Sequence, residues 1–325
     1  MKNIFYIAVL VFCCFQLQAQ QRGVYSNFLM NRYYYNPAIA GSENVHVVNA
    51  GYRNQWVGFD NAPVNVNLNV YGSLRNEGKM GYGLSFANEN SGLTNATSIY
   101  LNYAHHFKLS EQIKLGIGIQ PGYLQYRVKL YDAVIADEGD QVLTGSVYSA
   151  NAFDVNMGIH LYSSKFFFMA SVQHILGKQI KFTSYNTNLT YHYNAIAGYN
   201  FDFKKKKFQL QPSVLVKYAS PVPIQWSGML KGTYDQKYWL GLIYRSDDAF
   251  GLSAGMLIKN RFTVAYGYDF SINGLRKHNS GSHEVMLSFV ITRKRPSLDE
   301  KDDELNNSIL EDALEKEKEN EKTKE

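Results

Sequence analysis

The sequence predicts an all-β protein, namely a transmembrane antiparallel β-barrel of about 14 strands. Apolar and polar residues alternate with a period of two at 64–70, 113–119, 153–161 and 262–270. Successive strand residues point to opposite faces, so each segment forms a strand with one apolar and one polar face. Many such strands of about ten residues are typical of a barrel with lipid outside and a polar lumen. The 25 Tyr, 19 Phe and 3 Trp residues suit aromatic girdles at both membrane interfaces.

Fourteen strands account for the pattern, an even number, as is usual in bacterial single-chain barrels. Their approximate bounds are 45–57, 62–74, 79–88, 96–108, 112–126, 151–162, 164–174, 189–203, 206–218, 224–234, 236–246, 249–258, 261–271 and 281–293. A soluble β-sandwich or propeller also alternates. The outward face carries Phe, Tyr, Leu, Val or Ile on nearly every strand, and there is no second apolar face to form a core, which favours the barrel.

The first 19 residues have the features of a secretory signal peptide that is cleaved near Ala19. Lys2 supplies the positive charge, and residues 4–15 form the apolar core. Cys13 and Cys14 are the only cysteines, and both lie in this core. A mature chain without cysteine excludes disulfides, thiolate metal sites and cysteine nucleophiles.

Two segments flank the predicted barrel at 45–293. Residues 20–44 are aromatic without a strand period, and Pro37 and Gly41 bracket a turn. We expect this segment to be periplasmic or to plug the barrel. Residues 294–325 form a charged tail, in which Ser297–Glu325 has 12 acidic and 5 basic residues. A disordered tail and a periplasmic docking segment are both compatible with this composition.

Connection lengths predict the orientation of the barrel. Tight, charged connections at 75–78, 109–111, 163–165, 204–207, 235–236 and 259–260 alternate with a set that is mostly longer, at 88–95, 127–150, 174–188, 219–223 and 272–280. Short turns face the periplasm and long loops the exterior, which places both termini in the periplasm. Lys204–Lys207 then forms a solvated hairpin tip, so we expect no nucleic-acid partner.

No catalytic or metal-binding constellation emerges from the motifs. His105 and His106 are adjacent and point to opposite faces of a strand, so they cannot chelate one metal together. His160, His192 and Glu284 fall on inward polar faces, where they line the lumen. We therefore expect no enzymatic activity, cofactor or metal.

Several further residues are assigned to the lumen. Gly81, Gly83, Gly116 and Gly118 are inner-face glycines, which relieve crowding. Charged side chains on inward faces either line a wet pore or pair within a packed interior, and these are Lys114, Asp154, Asp202, Lys217 and Asp269.

The segment before and within the first strand resembles the opening of the PorP/SprF family, outer-membrane proteins of the type IX secretion system of Bacteroidetes. The resemblance rests on an Asn-Pro-Ala-x-Ala-Gly run at 36–41 followed by Arg-x-Gln-Trp at 53–56. The motif residues are Asn36, Pro37, Ala38, Gly41, Arg53, Gln55 and Trp56. The barrel continues to about residue 293, so the resemblance covers nearly the whole mature chain.

The resemblance implies a non-enzymatic accessory barrel in the outer membrane, in contact with its lipid. Family members associate with the periplasmic ring and motor assembly, or accompany a large surface adhesin, including gliding-motility adhesins, through its C-terminal domain. The alternatives are a passive or substrate-specific channel and, less well supported, a barrel lipase or protease. We expect Asn36–Ser42, with Arg53 and Trp56, to fix the periplasmic entry and the first strand.

Overall fold

The computed structural model describes residues 23–74, 79–129, 147–177, 179–181, 186–203 and 207–291. The predicted signal peptide and charged tail lie outside these residues. The strands are β1 His46–Asn54, β2 Val64–Ser73, β3 Met80–Ser91, β4 Thr94–Lys108, β5 Lys114–Lys129, β6 Val147–Tyr162, β7 Phe166–Gln173, β8 Gln179–Lys181, β9 Asn186–Asn188, β10 His192–Tyr199, β11 Phe201–Phe203, β12 Phe208–Ala219, β13 Val222–Tyr234, β14 Tyr238–Arg245, β15 Ala249–Ile258, β16 Phe262–Ser271 and β17 Ser282–Val290.

The strands close into an antiparallel barrel, which confirms the predicted fold. Each barrel strand pairs with its neighbours in sequence, and β1 also pairs with β17. On the other side, β10 pairs with β7 and β12. The short β10 and β11 are consecutive halves of one strand, and β8 and β9 form a separate hairpin. The barrel therefore has fourteen strand positions. We name its two ends the turn end, where β1 begins, and the loop end, where β1 ends.

The strands are polar inside and apolar outside, as the alternation predicts. On β2, Asn65, Asn67 and Asn69 are buried in the lumen, whereas Val66 and Leu68 are 37% and 45% exposed on the outer wall. The same arrangement continues around the barrel. The large apolar side chains on its outer surface form the lipid-facing wall of an outer-membrane barrel.

Two connections predicted to be long loops are tight turns. Strand β3 ends at Ser91 and β4 begins at Thr94, because Gly92 adopts a left-handed backbone (φ +58) that permits a two-residue hairpin. Likewise, β12 and β13 are separated by residues 220–221 alone. The predicted difference in loop length between the two ends is therefore weaker than the sequence suggested.

The chain before β1 lies inside the barrel and contains two short helices. Helix α1 spans Arg32–Tyr35, and a 3-10 helix spans Pro37–Ile39. The Asn36 side chain starts the second helix by accepting a hydrogen bond from the Ala38 N–H at 2.8 Å. Among the described residues, no helix is long and apolar enough to cross a bilayer.

Candidate functional site: the plugged lumen

Residues 23–45, which we call the plug, run through the lumen from the loop end to the turn end. Gly23 lies against Asn65, a residue near the loop end of β2. At the other end, the Ala40 carbonyl contacts His106, near the turn end of β4. The predicted plug is therefore a segment that extends along the barrel interior rather than a cap on one opening.

Asn36 attaches the middle of the plug to the barrel wall. Its side-chain Nδ2 donates hydrogen bonds to the carbonyls of Ile159 and Ala170, both at 2.9 Å. One residue further, the Pro37 carbonyl accepts a bond of 3.0 Å from Asn102 Nδ2. The Asn-Pro pair thus contacts strands β4, β6 and β7, and it combines a helix cap with three bonds to the wall.

Inner-face glycines make room for this part of the plug. A Cβ at Gly118 would lie 2.5 Å from the Ala38 nitrogen, a distance that real side chains do not adopt. At Gly81, a Cβ would collide with the Ala40 backbone. Gly81 and Gly118, two of the four glycines that the sequence assigned to lumen crowding, are thus positions at which backbone meets backbone, whereas Gly83 makes room for the Tyr33 side chain.

A cluster of buried charges holds the other part of the plug, near the loop end. We call Ser26, Arg53, Arg245, Asp269 and Glu284 the anchor cluster. Arg53 forms ion pairs with Asp269 at 2.7 Å and with Glu284 at 3.2 Å. Arg245 pairs with Asp269 at 3.2 Å. All four charged side chains are at most 2% exposed, so their charges are compensated inside the barrel rather than by water.

The plug residue Ser26 lies at the centre of the anchor cluster. Its Oγ accepts hydrogen bonds from Arg53 at 2.8 Å and from Arg245 at 2.9 Å, and it donates to Asp269 at 2.5 Å. The backbone N–H groups of Ser26 and Asn27 donate to the two Glu284 carboxylate oxygens at 2.7 and 2.9 Å. The wall charges thus bind the plug backbone directly, and bonds to charged groups are the stronger class.

Aromatic residues of the plug fill the space between these two attachments. Tyr25, Phe28, Tyr33 and Tyr35 are at most 2% exposed. The Tyr25 N–H donates to the Tyr35 hydroxyl at 2.9 Å, and Tyr33 stacks on Tyr71 of the wall with ring centroids 4.4 Å apart. The buried plug residues share one apolar cluster with wall residues, among them Met169, Ile196, Leu215, Met229 and Ile243. Within the described residues, this cluster fills the middle of the lumen.

A second polar group in the lumen superficially resembles a catalytic dyad. Asp154 Oδ2 accepts from the Tyr100 hydroxyl at 2.8 Å and contacts His174 Nδ1 at 2.7 Å. The ring of His192 packs against His174 with centroids 5.5 Å apart, and among the described residues no serine or threonine hydroxyl bonds to His174. No group of three or more His, Cys, Asp or Glu among the described residues could hold a metal ion.

The motif residues of the sequence divide between the two attachments. Asn36, Pro37, Ala38 and Gly41 belong to the part of the plug that runs to the turn end, whereas Arg53 is in the anchor cluster. Gln55 and Trp56 follow β1 at the loop end, where Trp56 N–H donates to Ser282 Oγ at 3.1 Å. The strand β1 spans the barrel and separates these two groups, and their role in fixing the periplasmic entry and the first strand stays a prediction.

Other predicted lumen residues have mixed positions. Asp154, His160 and Lys217 are buried, and His106 bonds to the plug rather than to a metal. Asp202 is exposed and accepts a bond from Gln209 at the turn end. Sequence reasoning missed Ser26 and Arg245. A small polar residue in an aromatic segment gives no signal, and Arg245 lies at a strand end where a solvated loop residue is equally expected.

Comparison with known proteins identifies the family. A family model described as "Type IX secretion system membrane protein PorP/SprF" matches residues 17–289. No curated protein matches the chain.

Three solved structures with similarity to the chain can be described. The CymD monoaromatic hydrocarbon channel has 10% identity and a TM-score of 0.49, covering 84% of this chain and 95% of that one. The Acinetobacter baumannii outer membrane protein Omp33 has 7% identity and a TM-score of 0.46, covering 77% and 100%. A Pseudomonas aeruginosa FadL homologue has 11% identity and a TM-score of 0.43, covering 78% and 91%.

The family model spans the plug and almost the entire barrel, and it therefore includes both attachments described above. The chain belongs to the PorP/SprF family of type IX secretion system membrane proteins.

Proposed function

We propose that this protein is a non-enzymatic scaffold of the type IX secretion system in the outer membrane. It anchors the periplasmic ring and motor assembly, or it assists the secretion and surface attachment of a large adhesin through the adhesin's C-terminal domain. Its contacts with these partners lie at the two ends of the barrel, and its lumen is not the route of the secreted protein. The short turns and both termini face the periplasm.

The observation that carries this proposal is the attachment of the plug to the wall at two separate places. Near the loop end, Glu284 binds two backbone N–H groups and Arg53 binds Ser26. In the middle of the plug, Asn36 bonds to two strands. Moving the plug to open a pore would remove its hydrogen bonds to the buried charges of the anchor cluster. It would also remove the Asn36 bonds to two wall carbonyls. Both losses cost free energy.

The alternative of a channel receives less support from the lumen. A conducting barrel needs a continuous wet path, whereas Phe28, Tyr35 and Met286 in the middle of this lumen are buried together. A hydrolase is also disfavoured, since no nucleophile in the part of the chain that the structure describes bonds to the Asp154–His174 pair. Both observations support a role that depends on surfaces rather than on passage or chemistry.

A covalent lock on the plug tests the proposal. A Cβ at Gly158 would lie 2.8 Å from Asn36 Cγ, so Asn36→Cys and Gly158→Cys bring two sulfurs within bonding reach. The double variant is expressed in a strain that lacks the native gene, and secretion and surface display of type IX cargo are measured with and without a reductant. The two single variants control for the lost Asn36 hydrogen bonds.

A scaffold predicts that deleting the gene reduces cargo display and that the oxidised and reduced double variants restore it equally. Loss of display only in the oxidised form would show that the plug must move, which contradicts the proposal. Normal display of all type IX cargo in the deletion strain would contradict a secretion role altogether. As a second measurement, the native barrel in planar bilayers should give no steady conductance, whereas a stable open pore would favour the channel.

A further inference from the structure

The part of the lumen next to the turn end is open. A cavity of about 1330 Å³ opens there between the turn-end part of the plug and the wall, and strands on both sides of the lumen line it, among them β5–β7 and β12–β17. Its lining includes Leu29 and Met30 of the plug and Trp239 of the wall. Residues of the connecting turns, such as Ser163 and Gln236, line its opening. We call this cavity the vestibule.

Cationic side chains predominate in the vestibule. Five of them line it, namely Arg32, Lys114, Lys207, Lys231 and Lys237. Glu43 is the one acidic lining residue within the described part of the chain, and it contacts Arg32 at 3.7 Å. Lys237 also contacts Asp235, which lies in the turn outside the cavity, at 2.7 Å. An excess of positive charge in a cavity with low-dielectric walls attracts anionic groups.

Apolar surface accompanies this charge. Lys231 lies 5.4 Å from the Trp239 ring centroid, and Arg32 lies 5.3 Å from that of Phe167. Both rings line the vestibule, together with Tyr162. Charged and aromatic side chains side by side fit a peptide that carries both carboxylates and aliphatic side chains better than they fit a small inorganic anion.

The sequence that follows β17 carries both carboxylates and aliphatic side chains. Val290 pairs with Val47, which lines the vestibule, so the chain leaves the barrel at the rim of the cavity. Within Ser297–Glu325, acidic residues outnumber basic ones by seven, and Leu305, Ile309 and Leu310 lie among them. The rest of the chain carries a net charge of +12, so the two parts have opposite signs.

We propose that the acidic C-terminal segment, Ser297–Glu325, binds in the vestibule of its own barrel. Lys207, Lys231 and Lys114 contact its carboxylates, and Trp239 and Phe167 contact its aliphatic residues. The reach is sufficient, because Ser308 follows Ile291 by 17 residues, a span of up to about 56 Å when extended. Tethering favours this occupant over a free acidic protein, since it raises the local concentration of the segment.

The inference is independent of the scaffold role and is tested by cross-linking within the full chain. Thr233→Cys places a thiol in the vestibule and Ser308→Cys places one in the tail, and the native cysteines lie only at positions 13 and 14. The control pairs Ser308→Cys with Ser110→Cys, in an exposed turn at the same end but outside the cavity lining. Disulfide formation is followed by gel mobility under mild oxidation in detergent.

Docking predicts that the vestibule pair forms roughly fivefold faster than the control pair, because the bound tail has a higher effective concentration at Thr233. Adding Lys231→Glu and Lys207→Glu, or raising the salt to about 0.5 M, should reduce the rate to that of the control. If Thr233→Cys prevents assembly, Gln209→Cys offers a second lining position. Equal rates for the two pairs, or a fast rate that ignores charge reversal and salt, would overturn the proposal.

Discussion

The two ends of the lumen use the same kinds of side chain for opposite purposes. Near the loop end, Arg53 and Arg245 are 1% exposed and bind carboxylates and the plug. At the turn end, Lys207 and Lys237 are exposed around an open cavity. Burial makes the difference, because a buried charge must be compensated within the protein, whereas a charge that faces water is available to attract another chain.

The largest expected effect on stability follows from removing the buried ion pairs near the loop end. Arg53→Gln removes the ion pairs to Asp269 and Glu284 and leaves both carboxylates in the lumen without this partner. We expect a loss of about 3–5 kcal/mol in the free energy of unfolding. The measurement is urea-induced unfolding in detergent, followed by tryptophan fluorescence.

Arg276→Gln, at an exposed arginine in the 3-10 helix between β16 and β17, is the matched control and should leave the midpoint unchanged. A loss of similar size in both variants would show that burial is not the deciding factor and would remove the contrast between the two ends.

The next effect distinguishes the vestibule from the outer wall. Val66→Arg places a charge against lipid and should cost about 2–4 kcal/mol if the residue lies near the midplane. Thr233→Arg places the same side chain in the vestibule, where a cavity of about 1330 Å³ and water accommodate it. Urea unfolding should show a small loss for Thr233→Arg, and an equal loss at both positions would argue that the vestibule is not open.

The barrel was predictable from sequence because the signal, an alternation of apolar and polar residues, lies within each strand and repeats from strand to strand. Each strand shows its two faces through alternation, as with Asn65 and Val66, and the fourteen strand positions follow. The tight turn at Gly92 was missed because polar residues around it are equally compatible with a loop. A left-handed glycine shortens the connection, and sequence composition alone does not reveal that conformation.

The plug attachments were predictable only in part. Asp269 and Glu284 were assigned to the lumen by alternation, and Arg53 was singled out by the motif. Ser26 contacts Asp269 and Glu284 across 243 and 258 residues of sequence, and Arg53 contacts Asp269 across 216. No local pattern encodes such contacts, since they depend on barrel closure and on the direction in which the plug runs.

A smaller effect separates wall positions that pack against the plug from wall positions that line the vestibule. Gly118→Val places two methyl groups where the Ala38 backbone lies, and overpacking of this kind costs about 1–3 kcal/mol. Ser288→Val places the same final side chain on the vestibule lining, where there is space. Unfolding midpoints should fall only for Gly118→Val. A comparable fall at Ser288 would indicate that the vestibule side is as closely packed as the plug side.

The smallest effect is expected at the turn between β13 and β14, where Lys237 donates to Asp235 at 2.7 Å. This hydrogen bond lowers the pKa of the Asp235 carboxyl, so any stabilisation is present above the carboxyl's unfolded pKa and is lost as the pH falls through the folded one. Both groups face water, and solvent screening weakens such pairs. Lys237→Gln should therefore leave the urea midpoint unchanged at pH 7 and at acidic pH. A loss at pH 7 as large as that of Arg53→Gln, abolished in acid, would mean that charges at the turn end also hold the barrel together. The vestibule cations would then be structural, and the contrast between the two ends of the lumen would not hold.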